Sequence, residues 1–78
     1  IMIDLQKKTQ ETIQTIEEML EDLKKKELTD EDKESMMSIE NGLDQIKKDN
    51  SSGAHNFEWV SNVLQNFKQE LITINRSN

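Results

Sequence analysis

Apolar residues recur along this chain at steps of three and four, the spacing of one face of an α-helix. Three stretches carry the pattern. The first runs from Met2 to Lys26, with Met2, Leu5, Thr9, Thr12, Ile16, Met19 and Leu23 as its seam and Ile13 and Leu20 flanking it. These residues span about 100° of a helical wheel. Thr9 and Thr12 weaken the middle of the seam. Ile1, Met2, Ile3 and Leu5 therefore read as a patch separate from the main stripe. A helix of this length would be ~37 Å long and would overhang its partners.

The second stretch begins at Leu28-Thr29-Asp30-Glu31-Asp32. Thr29 is a good N-cap, and the three acids put negative charge on the first turn, where the helix dipole favours it. Asp32 stands where a full capping box would have Glu or Gln. The seam is Met36, Ile39, Leu43 and Ile46, with Asn41-Gly42 inside it. Gly42 reads either as a small residue permitting close helix approach or as a kink. The seam keeps its phase across the pair, which favours a continuous helix. The short link from the first helix implies an antiparallel neighbour. Asp49-Asn50-Ser51-Ser52-Gly53-Ala54 has turn residues and no apolar period, so 49–55 is expected to be a loop.

His55 or Asn56 then caps the third helix. Its seam is Phe57, Val60, Leu64, Phe67, Leu71 and Ile74. Trp59 and Val63 widen the stripe on one side and Ile72 on the other, to about 220° of the wheel, more than packing against two neighbours needs. The tail 75–78 is expected to fray. No period-two alternation is sustained, which argues against strands. The fold expected is all-α: an antiparallel three-helix bundle in a single domain, with helices near 3–26, 30–48 and 56–74. The surplus apolar face leaves room for a homodimer that completes the bundle.

Composition strengthens that last point. Folding a chain of 9.1 kDa buries only about 60% of its unfolded surface. Hydrophobic residues are 32% and charged residues 33%, and there is no cysteine to staple the fold. Self-association or a partner would supply the missing burial. The net charge of −6 argues against nucleic acid and anionic membrane surfaces as partners. No apolar run approaches the ~20 residues of a membrane span. A cytoplasmic location is the default expectation. The chain opens on Ile1, so either Met2 is the natural start or the chain is a piece of a longer protein.

Candidate chemistry is sparse. His55 is the one histidine and lies beside a glycine-containing loop, where it reads as a loop or capping residue. A nucleophile would lack its base. Glu17, Glu18, Glu21 and Asp22 have helical spacing, as most solvated faces do, and the Asp30–Asp32 run lacks the glycine and distal Glu of a calcium loop. No enzyme, cofactor or metal is expected. Residues 17–34 hold nine acids and four lysines. The plain reading is a solvated face with i,i+4 pairs Glu21–Lys25 and Asp22–Lys26. The functional reading is a docking surface for a basic protein through Glu17, Glu21, Asp30, Glu31 and Glu34. Trp59 reads either as core or, with Val63, as an interface anchor of the kind enriched at hot spots. Ile72 is a further contact candidate on the other flank. Met37 lies ~100° off its seam and should face solvent or a partner.

The order of the pieces adds a resemblance. Met19-Leu20-Glu21-Asp22-Leu23-Lys24 ends the first helix. Leu28-Thr29-Asp30-Glu31-Asp32-Lys33 through Ile39-Glu40-Asn41-Gly42-Leu43 follows, and then Val63-Leu64-Gln65-Asn66-Phe67-Lys68-Gln69-Glu70-Leu71. Over about residues 11–74 this resembles the immunity proteins of class II bacteriocins from low-GC Gram-positive bacteria, in pattern and without a diagnostic motif. The resemblance implies a cytosolic antiparallel four-helix bundle that protects the producer cell by engaging the toxin-bound sugar-uptake permease from inside, with specificity in the C-terminal half. This chain shows three helices and stops where the specificity tail would begin. Two further readings stand beside it: a phage- or plasmid-type inhibitor docking on a basic surface, and a dimerisation module of a longer protein.

Overall fold

The computed structural model describes residues 4–52 and 56–78. The N-terminal patch at Ile1, Met2 and Ile3, and the residues Gly53, Ala54 and His55, lie outside the described residues. Three helices make up the fold: α1 Asp4–Lys24, α2 Asp30–Ser52 and α3 Phe57–Ser77. They form an antiparallel bundle 41 × 18 × 16 Å in extent. Lys26 bonds to Asn75, and Asn78 to Asp32. The end of α1, the start of α2 and the end of α3 therefore meet at one end. Gln6 bonds to Asn50 toward the other. α1 and α3 thus run the same way, with α2 against them.

Local chemistry sets the boundaries. Thr29 caps α2 as its side chain predicts: its Oγ1 accepts from the Asp32 N–H at 3.1 Å. Asn56 caps α3, its Oδ1 accepting from the Trp59 N–H at 3.1 Å. Two ends run further than the residue types suggest. α2 continues through Asp49–Ser52 in place of the expected loop. Ser51 Oγ donates back to the Lys47 carbonyl and Ser52 Oγ to that of Asp49, and buried Asn50 is tied to α1. α3 continues to Ser77 instead of fraying at Asn75. Asn78 closes it, with its N–H on the Asn75 carbonyl and its amide nitrogen on that of Ile74.

The core is one cluster contributed by all three helices. Ile16 and Leu71 are fully buried at 0% exposure and Ile39 at 1%. α2 buries the seam predicted for it, Met36, Ile39, Leu43 and Ile46. α1 is rotated from its predicted seam. It buries Gln6, Ile13, Ile16, Leu20 and Leu23, while Leu5 is exposed and Met19 half-buried. The reason is side-chain chemistry: Thr9 and Thr12 of the expected seam bond back to the carbonyls of Leu5 and Lys8, and burying aliphatic side chains is worth more. That promotes the flanking Ile13 and Leu20 to the centre.

Gly42 sits within an unbroken α2. A methyl group added there would lie 2.7 Å from Cζ and 3.2 Å from Cε2 of Phe67 on α3. The close-approach reading of this glycine therefore holds. α2 and α3 share the smallest contact of the three helix pairs, and the ring of Phe67 over Gly42 fills part of it. Gly42→Ala alone should gain little of the ~1 kcal/mol that alanine offers in a helix, because the ring must move. In a Phe67→Leu background the same change should recover most of that gain. Urea unfolding of the four proteins checks this. Equal effects of Gly42→Ala in both backgrounds would remove the steric account.

Candidate protein-contact surfaces

Trp59 lies in the first turn of α3, held there by the Asn56 cap. The seam of this helix points Val60, Leu64, Leu71 and Ile74 into the core. Trp59 is ~100° away from Val60 on the helix and is 61% exposed. The core reading of this tryptophan is thereby overturned. Trp59, Val63 and Phe67 are spaced i, i+4, i+8 and share one face. Val63 and Phe67 pack against the core cluster, so Trp59 is the exposed end of a stripe whose other end covers Gly42.

The remaining candidates scatter. Ile72 is half-buried and lines a small groove between α1 and α3 with Met19 and Leu23; it serves the bundle more than a patch. Met37 is 62% exposed, on α2 near the end of the bundle where α1 finishes. α3 begins at the other end, so Met37 and Trp59 do not form one surface.

The acidic run is partly neutralised. Glu17 pairs with Lys47 across the α1–α2 groove at 3.1 Å. Lys24 pairs with Glu40 at 3.0 Å and Glu21 at 3.5 Å. Glu40, through its hydrogen bond and its charge, raises the Lys24 pKa above the ordinary lysine value, and Glu21 adds to this. The expected Glu21–Lys25 and Asp22–Lys26 pairs are replaced. α1 stops at Lys24, so Lys25 and Lys26 leave the helical register. Lys25 instead meets Asp22 at i,i+3, and Lys26 crosses to Asn75 on α3. Asp30, Glu31 and Glu34 are exposed and make no ion pair among the described residues.

One feature escaped sequence reasoning. Gln6 and Asn50 are buried at 9% and 3% exposure. Gln6 Nε2 donates to the Asn50 carbonyl at 2.8 Å, and Asn50 Nδ2 to the Gln6 carbonyl at 3.1 Å. This reciprocal clasp ties the start of α1 to the end of α2. Asn50 Oδ1 accepts no hydrogen bond among the described residues. The signal was available: Gln6 precedes Ile13 and Leu20 by whole heptads, and Asn50 follows Ile46 by four residues.

Among the described residues no group of three or more His, Cys, Asp or Glu is placed to hold a metal ion, and no helix is long and apolar enough to cross a membrane. No family model, no curated protein and no solved structure matches the chain significantly.

Proposed function

We propose that this chain acts by protein contact and without chemistry of its own, as a small helical binding protein whose anchor is Trp59. One observation supports the reading best. The only tryptophan of a chain with two phenylalanines and no tyrosine is 61% exposed, on a helix whose core positions are already filled by aliphatic residues. Leaving so large an apolar ring in water costs burial that a partner would return. The most specific version is bacteriocin immunity, acting from the cytoplasm on a toxin-bound sugar permease. Its support is the pattern over residues 11–74 and the place of Trp59 in the C-terminal half, where that family carries specificity.

The test is a protection assay. The chain is expressed in a bacteriocin-sensitive low-GC Gram-positive strain, beside Trp59→Ala. Survival of toxin, with co-purification of the permease only when toxin is present, supports immunity. Trp59→Ala should abolish both while leaving helicity and melting temperature nearly unchanged, because the ring is outside the core. Protection that survives Trp59→Ala would remove Trp59 as the anchor. No protection at all would sink the immunity version.

Asp30, Glu31 and Glu34 support a second reading, docking on a basic protein surface. Such binding should weaken markedly with added salt, since exposed charges are screened over ~10 Å at 0.1 M. Sedimentation of the isolated chain, with and without Trp59, tests the remaining version, a homodimer.

A further inference from the structure

We infer that Asn41-Gly42 is a self-modification site, and that the folded bundle holds it shut. Asn41 is the one asparagine of the chain that is followed by glycine. In such a pair the main-chain nitrogen of Gly42 can attack Cγ of the Asn41 side chain, because glycine has no Cβ to crowd the approach. A C–N bond forms, and the side-chain amide group departs with the Gly42 N–H proton as ammonia. The product is a five-membered succinimide ring. Water then opens one of its two C–N bonds. One opening leaves aspartate at 41. The other leaves an isoaspartyl link, in which the main chain runs through the former side-chain carbon. Water is the only co-reactant.

The structure blocks the first step. Both residues lie in the middle of unbroken α2. Asn41 itself is exposed, so shielding from water is not what protects it. Ring closure requires Cβ of Asn41 to eclipse the Gly42 nitrogen, at a ψ of about −120°, whereas the helix holds ψ near about −42°. The ring therefore needs a turn of ~80° about one main-chain bond, and release of the Gly42 N–H from its helical hydrogen bond. That turn cannot stay local. Ile39 and Leu43 stand on either side of the rotating bond and are 1% and 2% exposed, so the rotation draws one or the other out of the core. The ring of Phe67 also lies against Gly42, its Cζ 2.7 Å from where a Cβ would stand. Opening this pair therefore means opening the bundle. The reaction is also one-way. An isoaspartyl link adds a methylene to the main chain between Ile39 and Leu43, which breaks the register of the α2 seam. It also sets a new carboxylate beside Glu40. A chain that has opened and reacted does not regain the same packing, so isoaspartate at 41 records opening and limits the life of the folded form.

The test holds the full chain in mildly alkaline buffer, native and in concentrated urea. Peptides spanning residue 41 are separated and weighed at intervals. In urea, conversion at Asn41 should outrun that at the other asparagines and give both aspartyl and isoaspartyl products. Gly42→Ala should slow this urea rate about tenfold. In native buffer, conversion of the parent should be slower at least ~100-fold, in proportion to the population of the open bundle. Ile16→Val should raise the native rate about fivefold and Leu71→Ala at least ~30-fold, with the urea rates unchanged. A native rate within about tenfold of the urea rate overturns the inference. So do native rates that ignore both core substitutions, since the bundle would then not be what closes the site. Aspartate formed without isoaspartate would mean direct hydrolysis of the side chain and would remove the ring closure.

Discussion

Leu71→Ala is expected to cost most of the stability of this bundle. Leu71 has 0% exposure and faces the contact between α3 and α1, the most extensive of the three. Truncating a fully buried leucine costs ~2–5 kcal/mol, through lost burial and the cavity left behind. A chain of this length has about 4–12 kcal/mol to lose. This one belongs near the bottom of that range, because only 32% of its residues are hydrophobic and it has no cysteine. At about 4–8 °C for each kcal/mol in a domain of this size, the melting temperature should fall by roughly 8–40 °C. Thermal and urea unfolding followed by circular dichroism would measure it. Ile16→Val, at the other side chain of 0% exposure, serves as a mild comparison at ~1 kcal/mol. A loss below 1 kcal/mol for Leu71→Ala would mean that the α1–α3 contact does not hold the fold together.

Leu71 was legible from sequence, and so was most of the core. α2 shows why: its only strongly apolar residues besides Met37 are Met36, Ile39, Leu43 and Ile46, so its seam could be read from spacing alone. α1 was less legible, because its expected seam passed through Thr9 and Thr12, whose hydroxyls bond back to the carbonyls of Leu5 and Lys8, while Ile13 and Leu20 beside them are the stronger apolar residues. Spacing gave the stripe but not the rotation. The same limit applied to Trp59. Its wheel position was marginal, and what decided its exposure was how far α2 and α1 wrap around α3. The end of α2 was missed for another reason. Asp49, Asn50, Ser51 and Ser52 are all poor helix formers, and residue type alone makes them a loop. Tertiary contact overrode that preference: Asn50 continues the buried stripe one turn past Ile46, and its partner lies 44 residues away on α1.

The polar clasp also bears on specificity. Three helices with narrow aliphatic seams could slide by a turn and still bury leucine against isoleucine. The two hydrogen bonds between Gln6 and Asn50 form in only one register, which penalises the slipped arrangements. The glycine at 42 acts in the same sense, since only one position along α2 admits the ring of Phe67. Thin apolar burial and two such position-specific contacts together give a small chain one preferred packing.

Asn50→Asp tests the clasp with a single oxygen-for-nitrogen exchange. At pH 7 the new carboxylate would be buried where Asn50 is 3% exposed. It would lose the donor to the Gln6 carbonyl, held at 3.1 Å in the parent, and place negative charge against that oxygen. Lys47, one turn back, is engaged by Glu17 at 3.1 Å and offers little relief. Burial disfavours the charged form, so the carboxyl pKa in the folded state should rise above its unfolded value of ~3.9. The penalty is then complete above the raised pKa, fades as pH falls through it, and is gone below ~3.9, where both states are protonated. Protonation also restores a donor, an O–H that can bond to Gln6. The expected loss relative to the parent is about 2–4 kcal/mol at pH 7, shrinking to under ~1 kcal/mol near pH 4. Because other carboxylates titrate in the same range, the quantity to compare is the difference between variant and parent at each pH, from urea unfolding. A difference that stays constant from pH 7 to pH 4 would show that residue 50 is solvated, and that the clasp does not hold α1 to α2.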